Sequence, residues 1–123
     1  MLSVWMNLDR LIKLAFDRTP TPAEVEEVAS SERISVDEVL DRFARRVAEC
    51  YLEGLYSFGD ADAAMNHLFA WATLVTGSGL PEFAGKVFGA FDAGEFVRPG
   101  VPEDQHGEAL TRTLLDGCLR TKS

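Results

Sequence analysis

At 123 residues the chain is the size of one ordinary domain, long enough to bury a core without disulfides or metals. Twenty acidic and twelve basic residues leave a formal charge of −8. That argues against nucleic acid or an anionic membrane as the main partner, since both need clustered Lys and Arg. Cys50 and Cys118 are too few for a disulfide-rich secreted scaffold and read as reduced, buried thiols.

Met1 to Thr19 has acidic Asp9 and Asp17 and no continuous apolar run, so it does not read as a secretion signal. No stretch approaches the roughly 20 apolar residues of a membrane span, and the default address is the cytoplasm. Trp5, Leu8, Leu11, Ile12, Ala15 and Phe16 recur at helical spacing and predict a first helix over 4–17. The prolines of Thr19–Pro22 stop it. Thr21, Pro22 and Glu24 then form a capping box with Pro at the first helical position, opening a short second helix that ends near Ser30 or Ser31. A second capping box, Ser35 with Glu38, opens the third. Its stripe of Val36, Val39, Leu40, Phe43, Val47, Tyr51 and Leu55 predicts about 20 helical residues, with Asp41 and Arg45 paired on the polar side.

Ser57–Gly59 reads as a break, with Asp60 as the N-cap of a fourth helix that runs to Thr76 and ends at Gly77. This helix is apolar nearly all round, which places it in the middle of the domain. Its polar residues stand out for that reason: Asp62 and Asn66 share a face, with His67 beside them. Pro81 begins a fifth helix that reaches Ala93, with Gly94 at its end. Gly85 and Gly89 inside it suggest close approach by another helix. Residues 95–107 read as an irregular loop, Glu108–Leu119 as a last helix and Thr121–Ser123 as a frayed tail. With no strand pattern and no linker, the fold class is all-α: a single compact helical domain over 1–123, a bundle of five or six helices.

Catalytic signatures are missing. Gly77-Ser78-Gly79 matches no phosphate-binding motif, there is no nucleophile elbow, and neither His67 nor His106 has a metal-ligand partner one turn away. His67, beside an apolar stripe, reads as a hydrogen-bonded structural histidine. The reading is therefore a protein with no catalytic residue, no cofactor and no metal. Asp62, Asp92 and Glu95 are the carboxylates that could do acid/base or hard-metal work. Asp62 sits at the start of its helix, where the dipole favours it. Asp92 and Glu95 flank a helix end, where it does not.

Charge is unevenly distributed. Residues 49–97 carry seven acids and the single base Lys86, a net of −6 out of −8. With Phe58 and Phe96 nearby, this segment suits an acidic protein-binding surface with aromatic anchors, unless the acids only solubilise the domain and cap its helices.

Two runs carry a resemblance. Ser57-Phe58-Gly59-Asp60-Ala61-Asp62-Ala63-Ala64-Met65-Asn66 and Ala90-Phe91-Asp92-Ala93-Gly94-Glu95-Phe96, with Leu80-Pro81-Glu82 between them, resemble small helical bacterial immunity-type proteins associated with polymorphic or contact-dependent toxins. The likeness covers residues 50–97. It implies binding rather than catalysis, with a cationic toxin domain as the partner. The expected contact surface is Asp60, Asp62, Asp92, Glu95 and Phe96, with Glu82 at the rim. Two alternatives stand beside it. One is a small enzyme or metal-dependent protein using Asp62, Asn66, Asp92 and Glu95. The other is a subunit that buries the Gly85/Gly89 face against its own copy.

Overall fold

The computed structural model describes residues 6–96, 99–102 and 106–121, apart from the Thr121 side chain. Six α-helices follow one another: α1 Leu8–Ala15, α2 Pro22–Glu32, α3 Val36–Leu52, α4 Phe58–Trp71, α5 Glu82–Ala93 and α6 Gly107–Thr121. A π-helical turn, Ala72–Thr76, prolongs α4. No strand occurs among the described residues, and no helix there is long and apolar enough to cross a membrane.

Local chemistry sets the helix ends. Asn7 caps α1 by accepting the Arg10 N–H, so the helix starts later than its apolar spacing predicts; residues 4 and 5 lie outside the described residues. Thr21 and Glu24 make both bonds of the capping box that opens α2. Ser35 accepts the Glu38 N–H at the start of α3, while the Glu38 carboxylate lies 3.9 Å from Arg42. Gly54, at φ +81°, ends α3 in a left-handed turn in which the Leu55 N–H reaches back to Cys50 O. The helix is therefore shorter than predicted, and Leu55 is left 68% exposed.

Ser57 replaces Asp60 as the N-cap of α4. Its hydroxyl accepts the Asp60 N–H, and the Asp60 carboxylate sits in the first turn at the positive helix end. Pro81 occupies the N-cap position of α5, one residue before its predicted place, and its ring has no acceptor to offer. Asp41 of α3 fills the gap by accepting the Ala84 N–H at 3.0 Å, a cap supplied from another helix. Arg45 is paired with Glu49 at 3.3 Å.

The centre of the bundle is α3, which packs against each of the other five helices and buries Val39, Leu40, Phe43, Ala44, Val47, Ala48, Cys50 and Tyr51. Contrary to the prediction from its composition, α4 is not enclosed. It packs on α1, α3 and α5, yet Phe69, Leu74 and Val75 are exposed at its far end, where the π turn carries the chain away from the core. Phe69 stacks on Phe88 of α5, with ring centroids 4.4 Å apart. Both cysteines are free; Cys50 is buried and Cys118 half-buried.

The glycines also differ from expectation. Nothing lies within 4 Å of where a Cβ would stand at Gly85 or Gly89. The close approach is at buried Gly94 instead. A Cβ there would land on Thr111 Oγ1 and stand 2.9 Å from Gly107 O. Thr111, fully buried, donates its hydroxyl to Ala90 O at 2.7 Å and so ties α6 to the last turn of α5.

These glycines predict opposite outcomes. Gly89→Ala, filling open space in a helix interior, stabilises by up to about 1 kcal/mol and raises the melting temperature by several degrees. Gly94→Ala overpacks the α5–α6 junction and costs about 1–3 kcal/mol. Thermal unfolding followed by circular dichroism measures both.

Candidate functional site

The acidic residues singled out from the sequence divide between two ends of α5. Asp62 lies one turn inside α4 rather than at its start, and Asn66 follows one turn later on the same face. Glu95 lies just beyond the end of α5, on the turn that Gly94 forms against α6. The helices run so that this turn meets the first half of α4. Asn66 Nδ2 donates to Asp62 Oδ2 at 3.4 Å and to Glu95 Oε2 at 3.3 Å, bridging the two carboxyl groups with long hydrogen bonds. Asp62 Oδ1 is buried without a hydrogen-bonding partner.

Burial raises the Asp62 carboxyl from the usual carboxylate range to about 7, helped by the neighbouring Glu95 carboxyl group and by the charge of Asp92; the Asn66 amide opposes the rise. A half-buried carboxyl group beside a second one gives up its proton less readily, which is the direction of the change at Asp62.

The exposed members of the set have other surroundings. Asp92 is exposed in the last turn of α5, which carries no basic residue. Phe96 is 62% exposed. Asp60 is exposed in the first turn of α4. Glu82 does not join the cluster. It stands at the opposite end of α5, about 15 Å from Asp92 along the axis, within 3.7 Å of Lys86.

Among the described residues no three His, Cys, Asp or Glu side chains are grouped to hold a metal ion. A surface hollow of about 430 Å³ is lined by Glu27, Ser30, Ser31 and Arg33, at the end of α2 rather than at the acids. His67 does what its apolar surroundings predict: its Nδ1 lies 2.6 Å from Ala15 O and links α4 to α1.

A polar group beside this site was not evident from the sequence. Tyr51, almost fully buried, donates its hydroxyl to Glu108 Oε1 at 2.6 Å. Arg112 lies over its ring, 4.7 Å from the centroid, and Phe58 and Phe91 meet the ring at steep angles. Burial, and then the Glu108 hydrogen bond, push the Tyr51 phenol up to about 12. The signal was the spacing of Glu108 and Arg112, one turn apart on α6, which lets both reach one partner on α3. Compared with models of known families, with curated proteins and with solved structures, the chain matches none.

The raised Asp62 carboxyl fixes the sign of a pH effect. The folded chain holds this proton more tightly than the unfolded chain, whose Asp titrates near 3.9. Its contribution is therefore most favourable below about pH 4 and declines as pH rises toward 7. Asp62→Asn keeps the neutral form at all pH values. The variant should melt a few degrees above the parent at pH 8 and within about a degree of it at pH 4, as read by thermal scans across that range.

Proposed function

We propose that this chain is an immunity-type binding protein that neutralises a cationic bacterial toxin domain by seating an acidic face against it. One observation carries the reading. The two runs that resemble immunity-type proteins, 57–66 and 90–96, meet in space, with Asn66 of the first hydrogen-bonded to Glu95 of the second as well as to its own neighbour Asp62. Beside that junction the chain exposes Asp92, Glu95 and the aromatic Phe96. Carboxylates at a helix C-terminus add to the negative potential of the helix dipole, which suits them to steering a basic partner. Phe96 supplies the apolar anchor that such contacts need near their centre. Glu82 lies outside this face.

The test is whether a toxin-type domain is encoded beside this gene and, if so, co-expression of the two. The parent chain should co-purify with it and protect the cell. Asp92→Lys/Glu95→Lys should fold normally and associate at least about tenfold more slowly at low salt, because steering acts mainly on the association rate. Unchanged association would move the contact elsewhere, and failure of the parent chain to bind would overturn the reading.

The convergence of Asp62, Asn66 and Glu95 also favours a second reading, in which Asp62 handles a proton for a small-molecule reaction. Dose separates the two. A binder protects cells only when it is at least equimolar with its target, whereas a catalyst protects at far lower amounts.

A further inference from the structure

We propose that Asp62, Asn66 and Glu95 form a proton-operated latch: a proton shared by the two carboxyl groups pins the turn after α5 to α4, and its loss frees Glu95 and loosens Phe96. As a form of regulation, the latch rests on the acidic-face reading above. As a property of the fold, it can be tested in the chain alone.

The geometry supplies a catch and a hinge. The catch is the Asn66 amide, which donates to both carboxyl groups, together with the buried Asp62 Oδ1, which has no other partner. With one proton present, the Asp62 carboxyl donates to the Glu95 carboxylate, and Asn66 holds the pair in register. Without it, two negative charges face each other across a single weak donor, and the exposed Glu95 is the one that can leave. The hinge is the turn itself. Gly94 is held from behind by α6, the Glu95 N–H reaches Asp92 O at 3.2 Å, and Phe96 O accepts the Gly107 N–H at 3.2 Å. The segment between those anchors carries both Glu95 and Phe96.

One surrounding charge favours the catch. Asp92, from α5, adds a like charge and helps retain the proton. Near the start of α6, Glu108 is engaged by the Tyr51 hydroxyl, and His106 precedes the helix with its Nδ1 buried and unpartnered. From α3, Tyr51 meets the start of α4 through ring contact with Phe58. From α1, the contact is Ala15 O with His67, more than a turn beyond Asp62. The Asp62 carboxyl, raised to about 7, places the transition near neutrality. Lowering the pH should close the latch and withhold Glu95 from a cationic partner. Raising it should present a fuller negative charge beside a looser Phe96.

The experiment is amide hydrogen exchange by NMR on the free, full-length chain between pH 5.5 and 8.5, with each rate divided by its intrinsic value. In the parent chain, protection of the Glu95 and Gly107 amides should fall at least about tenfold across that range, while the Ala84 amide in the first turn of α5 reports an intact fold. The Asn66 side-chain amide signals should shift with the same midpoint. Asp62→Asn should keep Glu95 and Gly107 protected throughout. Glu95→Gln, which places a neutral donor on the other side of the pair, should also abolish the pH dependence. Protection in the parent chain that does not change with pH, or the same pH dependence in Asp62→Asn, overturns the latch. No partner is needed, so this failure is distinct from failure of the toxin-binding experiment.

Discussion

The approach of α6 to the end of α5 depends on Gly94 having no side chain. Because that position is bare, Thr111 reaches Ala90 O and Gly107 comes close to the α5 backbone. The chain leaving α5 is thereby turned toward the first half of α4, and Glu95 arrives beside Asn66 and Asp62. A methyl group there would do more than loosen two helices. It would change where the carboxylate of the next residue points. The polar chemistry of this end of the molecule is thus set by a packing constraint.

A second constraint acts from the other side. Tyr51 sits on the central helix, inside an aromatic cage, with its hydroxyl committed to Glu108 and its ring covered by Arg112. A buried hydroxyl without an acceptor would be costly, so α6 is held by polar satisfaction as well as by apolar contact. Asp41 does comparable work at the opposite end of α5, where it caps a helix whose own N-cap residue, Pro81, has no side-chain acceptor. In both places the central helix α3 supplies a group that another helix lacks.

Much of the fold was legible because its signals are local. Thr21-Pro22-x-Glu24 can do little but begin a helix, and the stripe from Val36 to Tyr51 has one periodicity. Signals that required a distant partner were misread. Asp41 looked like the i,i+4 partner of Arg45, since its Ala84 partner lies forty-three residues away. Gly85 and Gly89 looked like the close approach because two glycines one turn apart draw attention, whereas Gly94 passed for an ordinary helix stop. Ser57 was passed over because Gly59 follows it, although a glycine in the first turn does not prevent capping. The acidic residues were picked out by composition, but their division into the half-buried Asp62 beside the exposed Glu95, the exposed Asp60 and Asp92, and the remote Glu82 depends on the direction of α5. No spacing in the sequence encodes that direction.

The π turn at the end of α4 bears on how the chain tolerates changes in length. Such a turn is an α-helix that has taken in one extra residue. Removing a single residue from 72–76 would let α4 continue as a regular helix and rotate everything beyond the deletion by about 100° about its axis. Thr73, Leu74, Val75 and Thr76 are all exposed, so little in the interior would need to repack. The loop from Gly77 to Pro81 separates this segment from α5 and would absorb the difference. Insertions and deletions among related chains should gather at this end of α4, leaving the opposite end, where the carboxyl pair sits, fixed in length.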